Sequence, residues 1–248
     1  MAYNHTHKFL INFYSLLLIF TFIPFSAYAD ALLSITSGRN EPFVNPDHSG
    51  FYDLIVKNMF QRIGIEAKTV LLPSERSLIN ANTGVDDGNI ARIKGIEKKY
   101  SNLIMVPEKV IVFDFVAFAR NKQLRVKDWK DLEPYNVTFI NGWKIFEKKV
   151  KYYKSLVRAR DPEQLFGLLN NNRVDIALYD RWSGLWWLKQ KPEKKYYLQP
   201  PIASFDLYLY INKKHKDLVP GLSRALKAMK TDGTYKQIYD QSLNSLLN

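Results

Sequence analysis

The chain has 248 residues, no cysteine, and a formal net charge of +12 from 36 Lys and Arg against 24 Asp and Glu. The lack of cysteine excludes disulfides, thiolate metal sites, a cysteine nucleophile and a lipid-modified amino-terminal cysteine. The positive charge favours anionic partners, but no Arg-rich or aromatic-interleaved nucleic-acid motif is present, so we expect a solvated basic surface and no nucleic-acid binding.

Residues 1–29 have the pattern of an export signal. Lys8 precedes an apolar core at 9–25, and the small residues Ala27 and Ala29 are of the kind that a signal peptidase needs. An uncleaved anchor is the alternative, but a spanning helix needs about twenty apolar residues and this stretch is shorter. We expect cleavage before Asp30, which leaves 219 residues as a soluble protein of the bacterial periplasm.

Beyond the signal, short apolar runs alternate with helical patterns, which favours an α/β architecture with parallel strands. The elements predicted in the first part are a strand at 32–36, a helix at 51–63, a strand at 67–72, a short helix from Pro73, a strand at 87–90 and an apolar run at 110–119. Those predicted in the second part are strands at 136–140, 174–178 and 204–211, and helices at 143–149, 162–169, 183–189, 218–229 and 233–247.

The charge is distributed unevenly along the chain. Residues 119–202 carry 18 Lys and Arg against 9 Asp and Glu, a net charge of +9. The flanking pieces, 30–118 and 203–248, together carry 17 against 15, a net charge of +2. This asymmetry predicts two lobes, one built from the middle of the chain and one from both flanks.

Four segments occur in an order that is typical of one protein family. A capped helix, a polar turn and a strand ending in an aspartate occupy 161–180, and a strand followed by a glycine turn occupies 132–144. A helix and strand at 49–68 and two closing helices at 218–243 complete the pattern. The whole chain beyond the signal resembles the periplasmic solute-binding proteins of family 3, the substrate-binding proteins of amino-acid-type ABC transporters.

The resemblance implies a periplasmic-binding-protein type II fold, in which each of two lobes is a mixed sheet flanked by helices. Lobe 1 would comprise 30–118 and 203–248, and lobe 2 would comprise 119–202. Two crossing strands, near 115–119 and 200–204, would form the hinge. A ligand would bind between the lobes at the carboxyl ends of the strands, and binding would close the hinge.

Charged candidates for the ligand site follow from their places after strands. The resemblance places Asp180 where the family binds an amine, although this aspartate could instead cap the helix that follows it. Arg76 and Arg92 are candidates for holding a carboxylate through a guanidinium fork, with surface ion pairs as the alternative. The chain departs from the family after the strand predicted at 87–90, since IARIKGIEKKYSN stands where amino-acid binders carry a Thr-x-x-Arg run.

Two aromatic residues are candidates for contact with the ligand. Phe43 lies in the loop after the first strand, where relatives place an aromatic ring. Trp143 follows a glycine turn where relatives have a small hydroxyl residue, and its ring would offer a face to an apolar or cationic group. Packing at the edge of the cleft is the alternative for both residues.

The sequence offers no set of residues that demands catalysis. Asp86 and Asp87 are adjacent, but paired aspartates in a glycine-flanked turn are mostly turn formers. Beyond the signal the histidines are His48 and His215, and the chain has no H-x-x-x-H pair, no G-x-S-x-G elbow and no glycine-rich phosphate loop. We therefore expect no catalytic residues, no metal and no cofactor.

The leading hypothesis is a monomeric protein that captures a small polar or anionic solute, an amino acid or a related compound, for transport or signalling. Its partner would be a membrane permease or a sensor kinase. A dehydratase-like periplasmic enzyme on the same scaffold is one alternative. A protein that docks on a membrane sensor or an anionic polymer through its basic second lobe is another.

Overall fold

The computed structural model describes residues 32–190 and 196–247. The predicted signal at 1–29 and its cleavage site lie outside the described residues. Within the described ranges, no helix is both long enough and apolar enough to cross a membrane.

Strands and helices alternate through most of the chain. The strands are β1 (Leu33–Ser37), β2 (Ala67–Leu71), β3 (Gly88–Ile93), β4 (Leu103–Ala119), β5 (Asn136–Ile140), β6 (Ser155–Ala159), β7 (Ile176–Asp180), β8 (Tyr196–Tyr197) and β9 (Ala203–Asn212). The helices are α1 (Phe51–Gln61), α2 (Ser74–Thr83), α3 (Lys144–Lys149), α4 (Pro162–Asn170), α5 (Arg181–Lys189), α6 (Val219–Thr231) and α7 (Thr234–Ser242).

The described strands form one mixed sheet in the order β2-β1-β3-β9-β4-β7-β5-β6, with β8 paired to β4. Two groups of strands are parallel, β1 with β2 and β3, and β5 with β6 and β7. Strands β4 and β9 run antiparallel to their neighbours. This mixed sheet flanked by helices confirms the predicted α/β fold class.

Strand β4 joins the two parallel groups. It pairs with β9 from Leu103 to Phe115 and with β7 from Phe115 to Phe118, so the ladder changes partner at Phe115. The predicted lobe boundaries, after residues 118 and 202, fall at the end of β4 and just before β9. The division into lobes at these residues stays a prediction.

Local sequence signals account for several helix starts. In α1, the Asp53 carboxylate accepts hydrogen bonds at 2.9 Å from the backbone N–H groups of Asn45 and Gly50, which satisfies donors at the start of the helix. In α4, Asp161 is the predicted cap and accepts from the Gln164 N–H at 2.7 Å. Both caps fix the direction in which a helix leaves the sheet.

The sequence pattern does not predict β6. Apart from Ala159 its side chains are exposed or half-buried, and the strand lies at the edge of the sheet. An edge strand of this kind lacks the alternation of apolar and polar residues that reveals a half-buried strand. The flanking residues Lys154 and Arg160 are exposed as well, which is typical of edges protected against pairing.

Candidate functional site

The candidate site lies where the carboxyl ends of the parallel strands meet. Arg39 follows β1, Arg92 lies near the end of β3, Trp143 follows β5, and Asp180 ends β7. Because ligands of open α/β sheets bind outside these ends, the two groups of strands direct their candidate residues to one region. Electrostatic coupling of Arg39 with both Arg92 and Asp180 is consistent with that convergence.

Asp180 is a buried carboxyl group with one occupied and one free oxygen. Asp180 is only 1 % exposed, and its Oδ1 accepts a hydrogen bond from the Ser183 N–H at 2.9 Å. Oδ2 is buried and makes no hydrogen bond with any described residue. Burial raises the pKa of Asp180, and the charge of Arg39 opposes that rise. One oxygen therefore caps α5, as the alternative in the sequence suggested, and the other remains for a ligand.

An irregularity in the backbone of β3 sets the direction of the Arg92 side chain. The register of β3 with β9 shifts between Asn89 and Arg92, and Ala91 within this bulge has φ +67°. Such a left-handed conformation is strained for a non-glycine residue, and bulges commonly redirect side chains. The guanidinium of Arg92 then donates to Asn89 through Nε and to Ser74 and Ser77 on α2.

Arg92 is held by neutral groups only. Nη2 donates to the Ser74 carbonyl at 3.0 Å and to Ser77 Oγ at 2.7 Å, and Nη1 donates once, to Ser74 Oγ at 2.9 Å. No described carboxylate forms an ion pair with it. Burial lowers the pKa of Arg92 to about 10, and repulsion from Arg39 adds to the shift. One Nη1–H therefore remains for an anionic group.

Arg39 was not among the residues predicted from sequence. Its guanidinium lies 4.7 Å from the ring centroid of Phe113 on β4 and 4.7 Å from that of Trp143. No described residue accepts a hydrogen bond from its side chain. Gly38 lets this turn approach α2 closely, since a Cβ at Gly38 would lie 2.7 Å from Ser74 Cα. The turn directly after the first strand was the available signal, because that is where the fold places its ligands.

Tyr52 brings a second free polar group to the same region. Its hydroxyl is fully buried and makes no hydrogen bond with any described residue. Burial raises the pKa of Tyr52, and Arg39 and Asp180 are among the charges that act on it. Tyr52 lies within the helix predicted at 51–63, and nothing in the sequence pattern marks its hydroxyl.

The remaining candidates are placed differently from one another. Phe43 is fully buried and stacks on Tyr52 with ring centroids 4.7 Å apart, so it packs against a residue of the site. Trp143 is half-buried and packs against Tyr179 at 4.9 Å, with its ring in the site. Arg76 is exposed on α2, and its side chain forms no ion pair or hydrogen bond with a described residue. Arg92, Trp143 and Asp180 thus share Arg39 as a neighbour, and the place of Arg76 in the site stays a prediction.

The adjacent aspartates of the sequence have structural partners. Asp87 accepts from the Ser34 N–H at 2.9 Å and contacts His215 Nε2 at 2.7 Å. Asp86 accepts from the Asn80 amide at 2.9 Å. They tie β1, α2 and the segment after β9 together, in agreement with their assignment as turn formers. Among the described residues, no group of three or more acidic, histidine or cysteine side chains is arranged for a metal ion.

Comparisons with known proteins agree on the fold. No family model matches the chain. An uncharacterized protein of Shewanella oneidensis is 27% identical over 257 residues, covering 91% of this chain and 93% of its own length. An ancestral arginine-binding protein bound to glutamine has a similar structure, with a TM-score of 0.65, 18% identity, and coverage of 85% of this chain and 96% of that one.

A histidine kinase sensor domain similar to periplasmic binding proteins has a TM-score of 0.68 and 16% identity, covering 86% of this chain and 96% of that domain. Substrate-binding proteins of amino-acid ABC transporters have the same fold. The chain therefore has the fold of the periplasmic amino-acid-binding proteins, which is the fold that the sequence resemblance predicts. These structural neighbours are binding proteins and a sensor domain.

Proposed function

We propose that this protein binds a small solute carrying an ammonium and an acidic group, an amino acid or a close relative, between its two groups of parallel strands. The observation that carries the proposal is the buried carboxylate of Asp180, whose Oδ2 has no hydrogen-bond partner among the described residues. Leaving such an oxygen unsatisfied costs about 1–3 kcal/mol, so it is best explained by a partner that arrives with the ligand.

The residues around Asp180 suggest how the solute is oriented. Its ammonium donates to Asp180 Oδ2 and lies near the hydroxyl of Tyr52. Its acidic group accepts the remaining Nη1–H of Arg92, which Ser74 and Ser77 hold in place. The ring of Trp143 covers the apolar part. Phe43 and Arg76 are not in the proposed contact set, because one is enclosed in the core and the other lies on an exposed face.

The proposed site draws on both predicted lobes, Arg92 from lobe 1 (30–118 and 203–248) and Trp143 and Asp180 from lobe 2 (119–202). A ligand that contacts both lobes gains these contacts together only when the lobes are closed. Binding would therefore shift the protein towards a closed state, with the hinge in β4 and the segment before β9.

The cellular role that we propose follows from the export signal predicted at 1–29. The protein would act in the periplasm as a monomer and present its solute to a membrane permease or a sensor kinase. Both roles have precedent among proteins of similar fold, in ABC transporter substrate-binding proteins and in a histidine kinase sensor domain. No step of chemistry on the solute is proposed.

The test is isothermal titration of the purified chain with a panel of amino acids, organic acids and amines, preceded by thermal melting as a screen. A ligand at about one hundred times its Kd adds about 2.7 kcal/mol to the free energy of unfolding, which is readily seen in a melting curve. We expect a ligand that contains both an ammonium and an acidic group.

Two variants locate the site. Asp180→Asn keeps the helix cap but removes the charge, and we expect it to weaken binding at least about tenfold. Asp175→Asn is the matched control, since Asp175 precedes the same strand and, among the described residues, its carboxylate accepts hydrogen bonds from Asn136 alone. Equal affinity in both variants, or a panel without any ligand, would contradict the proposal. Turnover of the bound solute, followed by proton NMR, would instead favour an enzyme.

A further inference from the structure

The guanidinium of Arg39, unpaired in the part of the chain that the structure describes, indicates how many acidic groups the solute carries. We propose that the solute carries two acidic groups and one ammonium, and that the guanidinium of Arg39 holds the second acidic group. This inference rests on the proposed function and narrows it from amino acids in general to acidic ones.

The charge of the site is not balanced by its own residues. Arg39 and Arg92 bring two guanidinium groups, and Asp180 brings one carboxylate. An amino acid with a neutral side chain would add one ammonium and one carboxylate, and would leave the excess positive charge in place. A solute with a net charge of −1 would leave each cation next to an anion. Unpaired charge in a half-buried site is costly, so the second kind of solute is favoured.

Neighbouring charged residues do not alter this count, because they have partners of their own. Arg181 follows Asp180 directly, but its Nη2 lies 2.8 Å from Asp114 Oδ2. Glu75 acts on Arg92 from α2, but its carboxylate lies 2.9 Å from Lys99 Nζ. Neither of these pairs leaves a free charge to neutralise the two arginines of the site.

The N–H donors of Arg39, which the described residues leave unpaired, suit an incoming acid. The guanidinium is planar, and its five N–H groups point outward in that plane. Its central carbon lies 4.7 Å from the ring centroid of Phe113 and 4.7 Å from that of Trp143, and neither ring takes a conventional hydrogen bond from it. The N–H edge has no acceptor among the described residues, so a carboxylate could take two hydrogen bonds there.

The same contacts disfavour a cationic solute. The rings of Phe113 and Trp143 would be the natural surface for a positively charged ligand side chain. Arg39 already lies over both rings at 4.7 Å, and its charge would repel a second cation. The part of these two rings that Arg39 covers is therefore not available to a cationic side chain of the solute.

The experiment compares L-glutamate and L-aspartate with L-glutamine and L-lysine by isothermal titration. We expect the purified chain to bind one of the acidic amino acids at least about tenfold more tightly than either other probe, since a hydrogen-bonded charge pair is worth about one to two factors of ten. Arg39→Met should lose that preference while its affinity for L-glutamine changes little. Arg39→Lys, which keeps the charge without the fork, should retain part of it.

Arg76→Met is the matched control, because it removes the same charge from an exposed position outside the site and should keep the full preference. Melting of each variant without ligand identifies any that fails to fold, and Arg39→Lys then carries the test. Tighter binding of L-glutamine or L-lysine to the unaltered chain would overturn the inference and leave the proposed function standing. Binding of none of the four probes, and of no member of the wider panel, would overturn both.

Discussion

Replacing Asp180 by asparagine should make the unliganded protein more stable. The residue is 1 % exposed, and its Oδ2 lacks a partner among the described residues, so the folded state bears the cost of a buried charge. Asparagine caps helices as well as aspartate does, and its Oδ1 can still accept from the Ser183 N–H. The asparagine Nδ2 takes the place of Oδ2 and is likewise unpaired among the described residues, so the expected gain at pH 7 comes from the removed charge alone and is about 1 kcal/mol.

The gain should depend on pH in a defined direction. Burial raises the pKa of Asp180 in the folded state, so the folded protein holds this proton more tightly than the unfolded chain does. The stability that this tighter proton binding contributes is fully present below the pKa of the unfolded chain, about 3.9, and is lost as pH rises through the pKa of the folded protein. The advantage of Asp180→Asn should therefore be largest at neutral pH and shrink as pH falls towards 4.

Thermal melting of both proteins from pH 4 to pH 8 measures this difference. A protein of this size shifts its Tm by about 2–4 °C for each kcal/mol. Asp175→Asn serves as the control, because that residue is exposed. If Asp180→Asn melts below the unaltered chain at pH 7, Arg39 already neutralises the carboxylate. The argument for a free binding group would then fail.

Two further predictions concern stability away from the site. Gly184→Ala should lower stability by about 1–3 kcal/mol in urea denaturation, because the new methyl group would collide with the ring of Phe118, whereas Gly167→Ala meets no atom within 4 Å and should gain up to about 1 kcal/mol from helix propensity. Equal effects of the two would contradict the packing. The hydrogen bond from Arg62 lowers the pKa of Asp232 to about 2. Asp232→Asn should therefore destabilise the protein at neutral pH, and this destabilisation should disappear as pH falls from about 4 to 2. It should also be smaller in 1 M salt, which screens the ion pair. A loss that persists at pH 2 would rule out the ion pair as its source.

Much of the fold could be predicted because its elements carry local signals. The strand predicted at 136–140 is β5 residue for residue, and the helix predicted at 162–169 begins behind its predicted cap. The predicted bounds of a strand are less accurate where its extent depends on pairing with residues far away in sequence. The apolar run at 110–119 is only the second half of β4, because Pro107, Glu108 and Lys109 interrupt the apolar pattern before it.

The candidate site divides in the same way. Asp180 and Arg92 could be predicted because the fold places ligand contacts after particular strands, and both residues stand there. Arg39 also follows a strand, but the rings of Phe113 and Trp143 beside it are far away in sequence and no local pattern indicates them. The direction of Arg92 depends on a bulge at Ala91, and no residue type there signals a positive φ. Alanine in that conformation follows from the packing of β3 against β9.

The position of β9 in the sheet also determines when the sheet can form during synthesis of the chain. This strand lies between β3 and β4 in the sheet, yet it begins at Ala203, near the end of the chain. Until it has left the ribosome, β3 and β4 each present an unpaired edge. Exposed edges invite pairing with other chains, and contacts between residues so distant in sequence form slowly. Newly made chains should therefore depend on chaperones until the final segment arrives.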